Sequence, residues 1–225
     1  MNRYYSFTFY RFAPSWRSLP VPGRQAAIAE FTAVAAAHKA KVEVRSFLTA
    51  GLKRDCEFGT WAIADSAIPI ADLAAALGNT ELWSHVTTPH QFLAITKPSP
   101  YANADEEKTP IPQGDKPWLF VYPFVKTKAW YQLPMEERWK MMREHIALGN
   151  GFPSIRINTA YSFGIDDQEF VVSFEGDDPV TFVELVQKLR SSRATAYTER
   201  DTPMFTCLKM DLRAVLEKLS FKAAG

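Results

Sequence analysis

Residues Tyr122–Asp167 read YPFVKTKAWYQLPMEERWKMMREHIALGNGFPSIRINTAYSFGIDD, and this stretch decides what the rest of the chain must be. It opens on an aromatic run in which Tyr122, Phe124 and Lys126 share one face of a strand by period two. A helix over Pro134–Leu148 follows, with proline at its opening. Its apolar positions Met135, Trp139, Met142 and Ile146 recur at helical spacing, and His145 falls on the edge of that stripe, facing inward. Two strands, Ile155–Phe163 and Glu169–Phe174, flank the turn Gly164-Ile165-Asp166-Asp167. Downstream, Asp178-Pro179 caps a second helix with Phe182, Leu185, Val186 and Leu189 on one face, and Met204–Met210 reads as a closing strand. The order is βαββαβ.

The first half has the same order. Arg3–Ala13 reads as a strand and Gln25–His38 as an Ala-rich helix. Val42–Leu52 and Cys56–Ala64 form an antiparallel pair, Ile70–Leu77 a helix ended by Gly78-Asn79, and Gln91–Thr96 a strand. Between the halves lies Lys97–Lys116, KPSPYANADEEKTPIPQGDK, rich in proline and charge and without a period, hence a surface linker. The expectation is an α+β chain with an N-terminal ferredoxin-like domain over residues 1–96, a linker over 97–116 and a C-terminal ferredoxin-like domain over 117–225. Each half leaves one sheet face uncovered, so the two halves are expected to form a pseudo-dimeric α/β barrel with its helices outside.

Composition removes several function classes. A formal net charge of +1 over 225 residues lacks the basic excess of a nucleic-acid binder. No apolar run is long enough to span a membrane, and the N-terminus lacks a signal-peptide core, so a cytoplasmic protein is expected. Cys56 and Cys207 make neither a disulfide framework nor a zinc spacing and read as buried free thiols. There is no G-x-S-x-G, no G-x-G-x-x-G and no P-loop.

Of the four histidines, His38 ends a helix as a solvated cation, and His85 and His90 fall in a polar connection. His145 differs because it faces inward. No second His, Cys or carboxylate stands at metal-ligand spacing on its helix, which argues against zinc. The residue is read either as a buried histidine bonded to a neighbour or as the single imidazole ligand of a haem iron. The strand face before it offers a phenol (Tyr122), a flat apolar surface (Phe124) and an ammonium (Lys126), which suits an apolar wall and a propionate partner. The alternative is an ordinary core strand with a solvated lysine.

At this point the residues resemble the chlorite dismutase-like haem proteins, which include the coproheme decarboxylases. The likeness is carried by YPFVK (Tyr122–Lys126), WYQLPMEER (Trp130–Arg138), the spacing of Met142, His145 and Gly149, SFGIDDQEF (Ser162–Phe170), DDPVTFVELVQKLR (Asp177–Arg190) and DTPMF (Asp201–Phe205). The resemblance implies haem b or coproheme bound in the C-terminal half, with His145 as proximal iron ligand and Met142 beside it. It implies that Tyr122 is the tyrosine that coproheme decarboxylases oxidise to a radical, which takes hydrogen from a propionate. Lys126 matches the lysine near a propionate, and Trp130 and Tyr131 the aromatic pair beside the haem. The implied reaction is peroxide-dependent oxidative decarboxylation of coproheme propionates, giving haem b. Chlorite dismutation or haem peroxidase activity is the alternative, and a non-catalytic haem-binding relative is a third. The small oxidant is peroxide or chlorite, and the implied assembly is a homo-oligomer, a ring of five.

Three departures from the family pattern stand out. Chlorite dismutases carry a distal arginine in the strand after the ligand helix. Counting thirteen on from His145 gives Asn158, counting back from Gly164 gives Ile157, and Arg156 shares a strand face with Asn158. The glutamate that bonds the ligand histidine in the family falls on Arg193 here. The stretch Ala102–Thr109 is acidic, where coproheme decarboxylases tend to be basic.

Overall fold

The computed structural model describes residues 2–101 and 114–222; the acidic stretch Ala102–Thr109 lies outside them. The chain divides into two compact units, Met1–Ile95 with Thr206–Gly225, and Thr96–Phe205.

The first unit contains β1 (Tyr4–Phe12), α1 (Pro14–Ser18), α2 (Val21–Ala37), β2 (Glu43–Leu48), β3 (Phe58–Ala64), α3 (Ala67–Gly78), a 3-10 turn (Leu82–His85) and β4 (Val86–Ile95). The antiparallel strand order is β4-β1-β3-β2, the ferredoxin-like arrangement. Helix α2 turns Ala27, Ile28, Phe31 and Ala35 onto the sheet, and α3 adds Ile70, Leu73 and Leu77. At Gly59 the strands leave no room for a side chain, since a Cβ there would sit 2.8 Å from Cδ1 of Phe9.

Residues from Thr206 onward differ from the sequence expectation, which assigned them to the second half. Strand β9 (Phe205–Lys209) pairs with β2 through Phe47–Lys209 and Leu48–Leu208. The final helix buries Val215 and Leu216 in the first unit's core. Trp16 donates to Ser220 Oγ at 3.0 Å, and Arg24 donates to the Ser220 carbonyl at 2.7 Å. Burial of these apolar side chains is worth roughly 1.5–3 kcal/mol each and outweighs adjacency in the chain. Cys56 and Cys207 are free and buried. His90 lies within β4 with Nε2 2.7 Å from Asp55, and His85 contacts Ser15 and Glu81, so both have partners where a polar surface loop was expected.

The second unit contains β5 (Trp118–Lys126), α4 (Lys128–Gln132), α5 (Met135–Asn150), β6 (Arg156–Tyr161), β7 (Phe170–Gly176), α6 (Pro179–Arg190), a 3-10 turn (Arg193–Tyr197) and β8 (Thr198–Arg200). The order β6-β7-β5-β8 repeats the first unit's arrangement. Asp178 caps α6, its carboxylate accepting from both the backbone and the hydroxyl of Thr181 at 2.9 Å. Phe182 of α6 stacks flat on Phe120 at 3.9 Å, and Leu185 is fully buried. Helix α5 is packed differently. Only Met141 and Gly149 are buried, while Met142, His145, Ile146 and Leu148 are half-buried and Met135 is 41% exposed. The inward face is therefore centred on His145, four residues from each buried position, and not on the Met135–Ile146 stripe. No helix among the described residues is long and apolar enough to cross a membrane.

Candidate functional site

His145 is held from one side. Its Nδ1 lies 3.0 Å from Ser192 Oγ, which lies 3.2 Å from Thr195 Oγ1, which donates to the Leu189 carbonyl at 3.0 Å. The last acceptor fixes every direction before it. A carbonyl cannot donate, so Thr195 spends its proton on Leu189 and accepts from Ser192. Ser192 in turn accepts from His145, whose Nδ1 carries the proton. Nε2 is left with a bare lone pair and makes no hydrogen bond to a described residue. Burial and the nearby Lys126 ammonium push the imidazole pKa down to about 4, so the ring is neutral at pH 7. A neutral, oriented imidazole with Nδ1 engaged and Nε2 open is the form a metal requires.

Arg193, on which the sequence count fell, turns outward and pairs with Glu144, with Nε 2.7 Å from one carboxylate oxygen and its backbone N–H 3.1 Å from the other. Its neighbour Ser192 is the histidine's partner.

Lys126 ends β5 with its ammonium buried between the rings of Trp130 and Phe124, at 4.6 and 5.3 Å. It donates to the Ala194 carbonyl at 2.7 Å, tying β5 to the 3-10 turn that Ser192 precedes. Burial pulls its pKa down to about 8. The nitrogen thus points into the protein and braces the histidine's support. Trp130, Met141 and Ala194 form one buried cluster with Met142 and Tyr197 against it. The structure therefore brings His145, Lys126, Phe124, Trp130 and Met142 together.

Tyr122 lies in the adjoining cluster with Phe120, Phe174 and Leu185, stacked on Phe174 at 5.7 Å and 8% exposed. Burial, then the Asp201 carboxylate, raises its pKa well above the usual phenol value. Its hydroxyl makes no hydrogen bond to a described residue. Tyr131 points elsewhere. Its hydroxyl donates to Glu169 at 2.6 Å and its ring meets Phe163 edge-on, at the turn between β6 and β7.

Strand register places the three distal candidates. Phe120, Tyr122 and Phe124 on β5 lie opposite Phe174, Val172 and Phe170 on β7, which lie opposite Ile157, Thr159 and Tyr161 on β6. Ile157 therefore shares the Tyr122 face, and its Cδ1 would be 3.4 Å from a Cβ added to Gly149 of α5. Arg156 and Asn158 belong to the opposite face, where Arg156 forms a two-pronged ion pair with Asp115. The structure thus does not bring Arg156 or Asn158 to the His145 side. Sequence reasoning missed Ser192 and Thr195, which lie in no motif, and Glu169, which lies in the SFGIDDQEF stretch but was given no role.

Among the described residues no three His, Cys, Asp or Glu side chains gather as a metal-binding group. One imidazole is a sufficient protein ligand only for an ion that brings its other donors with it, as iron in a porphyrin does. Comparison with known proteins gives the chain's family. A family model described as chlorite dismutase matches residues 24–210. The chain belongs to the chlorite dismutase family. Within the family it is similar to the coproheme decarboxylase of Mycolicibacterium smegmatis (strain ATCC 700084 / mc(2)155), at 31% identity over 176 residues, 76% of this chain and 74% of that protein. Among solved structures it is similar to the chlorite dismutase from Candidatus Nitrospira defluvii in complex with imidazole. The TM-score is 0.89 at 23% identity, covering 97% of this chain and 95% of that one. A cyanide complex of a mutant of that dismutase gives 0.90 at 22% identity with the same coverage. These two likenesses establish a shared fold. The α+β reading and the family resemblance drawn from the motifs are both borne out.

Proposed function

We propose that this chain binds an iron porphyrin, haem b or coproheme, through His145 Nε2, and acts as a peroxide-dependent coproheme decarboxylase. The observation that carries the reading is the His145–Ser192–Thr195–Leu189 relay, which leaves one neutral nitrogen open on a lone inward histidine. The half-buried apolar strip of α5 around it suits a flat apolar ligand. When bound, the porphyrin iron would supply the redox chemistry that peroxide drives. Overall, each propionate would lose carbon dioxide and two electrons to become a vinyl group, and peroxide would accept those electrons to become water.

In this reading the chain's residues have separate tasks. His145 holds the iron from one side, and Ser192 fixes the ring's tautomer and direction. Trp130, Phe124 and Met142 form apolar wall. Lys126 holds the 3-10 turn in place through Ala194. Tyr122 keeps its O–H intact at every physiological pH, because burial disfavours the phenolate, and so it can give up a hydrogen atom. Ile157, one of the two positions on which the count for the chlorite dismutases' arginine falls, is uncharged and lies on the Tyr122 face, and Asn158 is uncharged too, which weighs against chlorite as the substrate. Assembly as a ring of five belongs to the same reading.

Titration of the protein with haem and with coproheme tests it. A Soret band is expected with both, lost in His145→Ala. Peroxide is then expected to convert bound coproheme to haem b, followed by mass, and Tyr122→Phe to stop the conversion while retaining the band. Absence of a band with either porphyrin would overturn the reading.

A further inference from the structure

Arg138 stands on the His145 face of α5 with no hydrogen-bond or ion-pair partner among the described residues. It precedes His145 by seven residues, two turns, so the two side chains leave the same side of the helix roughly 10 Å apart along its axis. The residue is half-buried and its Nε is fully buried, without a hydrogen bond. The guanidinium makes no hydrogen bond or ion pair with any described residue.

Four nearby cations are engaged. Lys126 donates to the Ala194 carbonyl, Lys140 pairs with Glu136, Arg143 lies over the Trp139 ring, and Arg193 pairs with Glu144. Arg138 bears on the Tyr131 phenol electrostatically, which puts its charge on the side of α5 toward Tyr131. The carboxylate there, Glu169, already accepts at one oxygen from the Tyr131 hydroxyl and from the Lys126 backbone. A guanidinium with a buried, unsatisfied N–H is costly unless an anion completes it. Its planar donors match a carboxylate two-pronged. Lys126, which the sequence suggested for a propionate, is turned inward.

We propose that Arg138 pairs with a carboxylate of the bound porphyrin and so fixes the rotation of the macrocycle about the His145–iron axis. The inference rests on the porphyrin reading above. Two turns of helix is also the scale of the distance from the centre of a porphyrin to its carboxylate edge, so one helix would supply both the axial ligand and the edge clamp.

The test is an affinity measurement on the whole chain, using tryptophan quenching and the Soret band, with no turnover required. The probes are iron coproporphyrin and the same iron porphyrin with its carboxylates esterified. Arg138→Gln is expected to weaken iron coproporphyrin about 10- to 100-fold, the worth of a charged hydrogen-bonded contact, and to leave the ester's affinity unchanged. Arg138→Lys is expected to recover part of the loss, which a misfolded variant would not. If wild type binds both probes and Arg138→Gln binds both equally well, the inference is overturned and the porphyrin reading stands. If wild type binds neither, both fall together.

Discussion

His145 donates from Nδ1 to Ser192 Oγ across 3.0 Å, and Ser192 is a neutral partner where the family pattern calls for a glutamate. The direction follows from the Leu189 carbonyl that ends the relay. Removing the hydroxyl should release the ring. Ser192→Ala is expected to cost about 1 kcal/mol of stability and to weaken haem binding roughly tenfold or more. Ser192→Asp should make the imidazole a stronger donor and lower the potential of bound iron. Redox titration of the haem-loaded variants checks the order Asp below Ser; the reverse order would count against the assigned direction.

Arg193 gives the opposite expectation. Its ion pair with Glu144 is solvent-exposed, and water and salt screen such pairs until they contribute little to stability. Arg193→Ala should leave the melting temperature and the haem spectrum as in wild type. A spectral change as large as that of Ser192→Ala would show that the partner had been assigned one residue out.

These two residues mark where sequence stops being readable. Strand and helix periods located the longer strands and helices but not the short α1, α4, β8 and 3-10 turns, because burial imposes period two or 3.6 on residue choice only over several residues. They did not locate Ser192, because it stands just before a short 3-10 turn with no period to read, and Ser192 and Arg193 differ by one residue. The same limit applied on β6, where counts from either end disagreed by one residue and so by one face of the sheet. Register with β7 puts Ile157 on the Tyr122 face and Arg156 and Asn158 on the other. The placement of the last strand and helix with the first unit was also beyond local reading. Contacts such as Trp16 to Ser220 join positions far apart in the chain and leave no period.

The porphyrin-free protein should lose stability on acidification. His145 has a folded pKa of about 4 against an ordinary value of 6.5. Between those values the unfolded chain binds the proton and the folded chain does not, so stability rises with pH across the window. The contribution is complete above pH 6.5, falls below it and is exhausted near pH 4, by about 3 kcal/mol at most. Urea midpoints at pH 7, 5.5 and 4.5 should show the decline, and His145→Gln should flatten it. An unchanged slope in His145→Gln would assign the decline to other groups.

Gly59 makes a fold-level prediction for the first unit. An added Cβ would stand 2.8 Å from Phe9 Cδ1 and 3.3 Å from the Thr8 carbonyl oxygen, and Phe9 is buried and cannot swing away. Gly59→Ala is therefore expected to destabilise the protein by roughly 1–3 kcal/mol. Denaturant unfolding measures this, with Gly51→Ser, at a site with nothing within 4 Å but a φ of +77°, as a contrasting backbone-strain control.

Ile157 tests which face of β6 serves the site. Its side chain is 43% exposed and lies on the Tyr122 face, so a longer polar side chain can be accommodated at small cost. Ile157→Arg would put a cation on the His145 side, whereas Asn158→Arg would put the same cation on the other face. A charge a few ångströms from a bound anion in a half-buried site is worth on the order of 1–4 kcal/mol. Azide or fluoride titration of the haem-loaded proteins should therefore show roughly tenfold or greater tightening in Ile157→Arg and none in Asn158→Arg. Tightening in Asn158→Arg alone would mean that the ligand lies against the opposite face of the sheet, and that the Ile157 side is not the one opposing His145.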